Sequence, residues 1–100
     1  DEFIVVLAEH RNIILRSRIR GVPDMVVEIV SPSTGERDRS LKRSLYESHG
    51  VPEYWVVDTE EQLIERYVQK GERYTEAEIH REEISFDGAP VDLTDIWARL

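Results

Sequence analysis

One hundred residues, 40% of them hydrophobic and 34% charged, bound a single small domain whose core lies near the lower limit for independent stability. The chain has no cysteine, which excludes a disulfide framework, a thiolate zinc site and a cysteine nucleophile, and fits a reducing compartment, the cytosol by default. The formal net charge is -8, yet residues 1–50 carry eight basic and eight acidic side chains and residues 51–100 carry five and thirteen, so the acidic excess is C-terminal.

In chain order, the first apolar run covers residues 3–7 and is rich in β-branched residues, as a strand buried on both faces would be. The chain opens on Asp1 without an initiator methionine and enters this run at once, which points to a fragment of a longer domain. Residues 13–15 can extend a first hairpin. A second strand is expected at Met25–Val30, interrupted by Glu28. Neither apolar run approaches the ~20 residues of a membrane span, and no signal peptide is visible. From residue 36 to 49 the period changes to that of an amphipathic helix, with Leu41 and Leu45 as its buried face and Asp38, Lys42 and Tyr46 on a neighbouring stripe. Ser33 with Glu36 fits a capping box, and Gly50 is the C-terminal stop. Three strand-like runs follow at residues 53–58, 62–68 and 72–79, then a solvated Glu82-Glu83 turn and a short helix over residues 93–100. Strand, helix, strand and meander make an α/β domain with a mixed sheet and few covering helices.

Glu28 is the residue that demands an explanation. An unpaired carboxylate in an otherwise apolar strand costs several kcal/mol or takes up a proton. A divalent cation such as magnesium or manganese can compensate it, since hard carboxylate oxygens are their ligands. A cation from the following helix can also do so, and Lys42 is the only lysine before Lys70. The plain alternative is a buried ion pair or a sheet edge facing solvent. Asp24 shares the strand face of Glu28 but lies about 13 Å away at ~3.3 Å per residue, too far to share one metal unaided. Between residues 10 and 43, Arg11, Arg16, Arg18, Arg20, Arg37, Arg39, Lys42 and Arg43 face only Asp24, Glu28, Glu36 and Asp38. Arginine grips phosphate bidentately, so this segment suits an anionic partner; solvated surface charge explains it equally well. His10, His49 and His80 have no metal-ligand spacing, and Tyr46, Tyr54, Trp55, Tyr67 and Tyr74 are better read as packing than as base-stacking residues.

The string Val22-Pro23-Asp24-Met25-Val26-Val27-Glu28-Ile29-Val30-Ser31-Pro32-Ser33, then Asp38 with Lys42 and Tyr46, then Gly50-Val51-Pro52-Glu53-Tyr54-Trp55-Val56-Val57-Asp58, resembles the Uma-two family of restriction-endonuclease-like proteins, within the PD-(D/E)XK nuclease superfamily. The resemblance runs across nearly the whole chain, to the tyrosine-containing hairpin and the Asp92 to Trp97 tail. It implies a restriction-endonuclease-like mixed β-sheet core with a flanking helix, forming the C-terminal part of such a domain, and a Mg2+- or Mn2+-dependent DNA endonuclease. Asp1 and Glu28 would bind the metal, with Glu2 the alternative upstream acid and Asp24 a further catalytic acid. The superfamily places a lysine two residues after the second acid, where this chain has Val30; the resemblance implies that Lys42 on the helix replaces it. Arg18, Arg20, Arg37, Arg39 and Arg43 would contact the DNA backbone, and Ser31 or Ser33 is a phosphate contact or, preferably, a cap or turn residue. The rival reading is a catalytically inactive relative that binds DNA or protein, and the remaining partner class is a homodimer built on the Tyr54-Trp55 strand and hairpin.

Overall fold

A computed structural model describes residues 2–13, 21–30 and 36–99. Asp1, Arg16, Arg18, Arg20, Ser31 and Ser33, and with Ser33 the expected capping box, lie outside the described residues. The expected α/β class holds. Strands β1 (Glu2–Val5), β2 (Met25–Val30), β3 (Glu53–Asp58), β4 (Leu63–Lys70) and β5 (Arg73–Tyr74) follow one another across a mixed sheet, and β6 (Glu78–His80) pairs with the other end of β4. Among the described residues only β2 and β3 are parallel, joined through α1 (Glu36–Ser48); the other pairs are antiparallel. A second, two-stranded sheet, β7 (Glu83–Phe86) with β8 (Ala89–Asp92), leads into α2 (Leu93–Ala98).

Side-chain alternation sends the residues of β2 and β3 to two separate cores. Met25, Trp55 and Ile64 meet Ile84, Leu93 and Trp97 from β7 and α2, with Trp55 edge-on to Phe86 at a centroid distance of 6.0 Å. On the opposite face, under α1, Val26, Val30, Val51, Tyr54, Val56 and Tyr67 form the second core, with Tyr46 and Tyr74 packed against it. Each large apolar side chain so buried contributes about 1.5–3 kcal/mol. The tyrosines are packing residues, as expected: Tyr54 is fully buried, with the rings of Tyr46, Tyr67 and Tyr74 around it.

Helix α1 ends as the sequence suggests. Gly50 takes a positive φ of 74°, its N–H donates to the Glu47 carbonyl, and the Val51 N–H donates to the Tyr46 carbonyl. This is a Schellman stop, and buried Val51 supplies its apolar contact.

The helix is rotated relative to expectation. Leu41 and Leu45 are 61% and 51% exposed, whereas Lys42, Arg43 and Tyr46 are turned toward the sheet and half-buried. Long cationic side chains can line an interface because their aliphatic stems cover apolar surface while their heads seek polar partners. Four other expectations change. Among the described residues strand β1 is the sheet edge, with Ile4 47% exposed, so it is not buried on both faces. Ile13 closes a 3-10 turn over Ala8–Ile13, and the rest of the expected hairpin extension, residues 14–15, lies outside the described residues. The run 72–79 divides into β5 and β6, and the Glu82-Glu83 turn instead enters the β7–β8 hairpin, whose Asp87 and Gly88 both have positive φ, as a type I′ turn requires.

Candidate active site

Glu28 sits in mid-β2 on the face covered by α1 and is 4% exposed. Its register partners are Glu2 on β1 and Val56 on β3, so an acidic position stands directly opposite it at the sheet edge. The Lys42 Nζ donates to Glu28 Oε1 at 2.8 Å, while Oε2 is buried without a hydrogen-bond partner. The Lys42 side chain is 33% exposed, so the ammonium that meets the carboxylate keeps contact with solvent. The sequence thus anticipated the pair, and the rotation of α1 makes it: with the leucines outward, position 42 comes over β2.

A buried carboxylate with one oxygen satisfied by an ammonium and the other bare is a fit for one ligand position of a hard divalent cation. Among the described residues no group of three or more His, Cys, Asp and Glu side chains is arranged to hold a metal ion. The expected partner Asp1 lies outside the described residues.

Asp24 is engaged elsewhere. Its Oδ2 accepts the Leu7 N–H at 2.6 Å, its Oδ1 accepts from His10 Nδ1 at 2.8 Å, and its own N–H donates to the Val5 carbonyl. Three bonds tie the start of β2 to the segment after β1, and the carboxylate is not brought to Glu28. Of the five expected DNA-contacting arginines, Arg37, Arg39 and Arg43 lie on α1, and Arg18 and Arg20 lie outside the described residues. His49 bonds the Leu45 carbonyl at the helix end and His80 bonds Glu78 and the Glu83 carbonyl, so the histidines are dispersed.

A second polar group was missed from the sequence. Arg43 donates to the Tyr67 hydroxyl at 3.3 Å and stands over its ring, 5.4 Å from the centroid; that hydroxyl in turn donates to Glu65 Oε2 at 3.1 Å. Burial pushes the Tyr67 phenol up, Arg43 pulls it down and Glu65 adds to the rise, so the hydroxyl stays protonated at neutral pH. Glu65 and Tyr67 are two residues apart on β4 and so share a face, which was legible. That this face meets Arg43 depends on the β3–β4 register and the turn of α1, which was not.

The chain matches the family described as "Uma2: Putative restriction endonuclease" over residues 2–97. Among solved structures, it is similar to a chain described as a "putative nuclease belonging to DUF820" from Anabaena variabilis, with 21% identity and a TM-score of 0.64 over 78% of this chain and 45% of that one. The chain therefore spans less than half the length of that relative, and the likeness is one of fold. No curated protein matches the sequence. Among the described residues no helix is long and apolar enough to cross a membrane.

Proposed function

Because the chain belongs to the Uma2 family of "putative restriction endonucleases", we propose that it is a metal-dependent DNA endonuclease whose reactive centre is built on Glu28 and Lys42. The observation that carries this reading is the buried Glu28 carboxylate, one oxygen held by Lys42 and the other bare. Glu28 and one of the two acids at the head of β1, Asp1 or Glu2, would hold Mg2+ or Mn2+; when bound, such an ion polarises a phosphoryl oxygen and lowers the pKa of water. Lys42, held against Glu28, places an ammonium where it would orient water or neutralise charge that develops on the phosphate. Asp24 acts by position: it fixes residues 7–10 to the start of β2, which sets β1 against Glu28. The α1 arginines, with Arg18 and Arg20, give salt-dependent affinity for the DNA backbone without reading its sequence.

The inactive DNA- or protein-binding module is favoured by one observation, that the Glu28 carboxylate already has a cation in Lys42. Plasmid nicking in Mg2+ or Mn2+ separates the two. Activity lost in Glu28→Gln and Lys42→Ala, and in one but not both of Asp1→Asn and Glu2→Gln, supports the enzyme and identifies the upstream acid. A thermal titration gives an independent readout: Mn2+ should raise the melting temperature of the wild type and not of Glu28→Gln. A folded wild type that binds DNA, ignores Mn2+ and cuts nothing is the module.

A further inference from the structure

Beside the Glu28–Lys42 pair, α1, β3 and β4 enclose a cavity of about 300 Å³, lined by Arg39, Arg43, Tyr54, Val56, Glu65 and Tyr67. Two arginines and one carboxylate are among its described lining residues, and that carboxylate accepts the Tyr67 hydroxyl. Arg43 is held from two directions, by its bond to the Tyr67 oxygen and by the ring beneath it. A guanidinium has five N–H donors in a planar fork and only one is spent on Tyr67, so Arg43 presents a pre-oriented surface for a bidentate oxyanion. The floor, Val56 and Tyr54, is apolar and buried, which strengthens any ion contact made above it.

The position relative to the reactive centre follows from register. Glu28 and Glu65 are both partners of Val56, on opposite sides of it, so they lie two strand spacings apart, about 10 Å. Lys42 and Arg43 are consecutive on α1, one directed to β2 and the other to β4. A phosphate seated on Arg43 is thus placed as a neighbour of a phosphate at Glu28.

We propose that this cavity is a second phosphate subsite, in which Arg43, positioned by Tyr67, grips a backbone phosphodiester adjacent to the one that is cut; the assignment rests on the nuclease reading above. The test uses the full chain carrying Glu28→Gln, which leaves the subsite intact, and short duplexes that each hold one uncharged methylphosphonate linkage at a stepped position. The cleaved linkage is mapped on the same duplex with the wild type. Binding should weaken when the neutral linkage falls at the cleaved position and at one flanking position. Adding Arg43→Ala should abolish the flanking penalty alone, lower affinity for the unmodified duplex about tenfold and reduce the salt slope by about one. Tyr67→Phe, which keeps the ring, should give a smaller loss at that same linkage. Arg43→Lys retains charge and stem but loses the fork, and serves the same comparison if the alanine variant does not fold. An unchanged flanking penalty in the Arg43 variants, with a wild type that cuts, overturns the subsite and leaves the nuclease standing. A wild type that neither binds nor cuts overturns both.

Discussion

The two faces of the one sheet are built on different terms. The face away from α1 buries Met25, Trp55 and Ile64 under Ile84, Leu93 and Trp97, and its partly buried Arg66–Glu53 pair makes a hydrogen bond of 2.6 Å. The face under α1 is as apolar in its valines and tyrosines but is interrupted by Glu28 and roofed by Lys42 and Arg43, while the helix leucines are left in solvent. An arrangement made only for stability would turn Leu41 and Leu45 inward. The inverted helix is explained if one face holds the fold together and the other keeps a buried charge available for chemistry.

Truncation on the holding face should have the largest effect on stability. Trp97 is 8% exposed and its Nε1 donates to the Arg81 carbonyl at 2.9 Å, so Trp97→Ala removes a large core side chain and orphans a carbonyl. The expected loss is about 3–5 kcal/mol in urea denaturation, a large fraction of the roughly 5–15 kcal/mol that a domain of this size commands. A loss below ~1 kcal/mol would mean that β7, β8 and α2 are not what seals this face.

On the acting face the sign of the effect depends on which residues change together. Lys42→Met leaves the Glu28 carboxylate without its ammonium and should cost about 1–3 kcal/mol, below the value for a fully buried pair because Lys42 is partly exposed. Replacing both, Glu28→Leu with Lys42→Met, should recover that loss and leave the protein at least as stable as the wild type, at the expense of any nuclease activity. If the double variant is the less stable one, the pair is a structural element and the contrast between the faces disappears.

The sequence disclosed those features that short-range pattern determines. Strands β2 and β3 fall at the expected residues because their apolar runs are bounded by Pro23, Pro52 and Thr59, and α1 stops at Gly50 for a local reason. The Glu28–Lys42 pair was visible because a carboxylate in a buried strand requires a cation. The helix orientation was not, since a stripe of leucines ordinarily marks the buried face and only a tertiary requirement reverses it. The β7–β8 hairpin was legible through Asp87-Gly88, the dipeptide that a type I′ turn favours, but the charged residues before it obscured the signal. The Arg43–Tyr67–Glu65 group joins residues up to 24 positions apart and exists only once β4 is registered on β3.

The smallest expected effect lies again on the holding face and concerns acid. Asp92 caps α2, accepting the Thr94 N–H at 3.0 Å and the Thr94 hydroxyl at 2.6 Å, and the Thr94 hydrogen bond holds its carboxyl below the usual range. Because the folded-state pKa is the lower one, the cap contributes fully above the unfolded value of about 4, and its contribution is lost as pH falls through the folded value. Asp92→Asn keeps an acceptor for the Thr94 N–H but cannot titrate. Denaturation midpoints of the two proteins, followed from about pH 6 to about pH 3 across the ~3.9 of a free Asp, should therefore run parallel down to about pH 4. Below that the wild type should fall faster. Parallel curves throughout would mean that α2 does not rely on its cap, and that Leu93 and Trp97 alone hold it to the sheet.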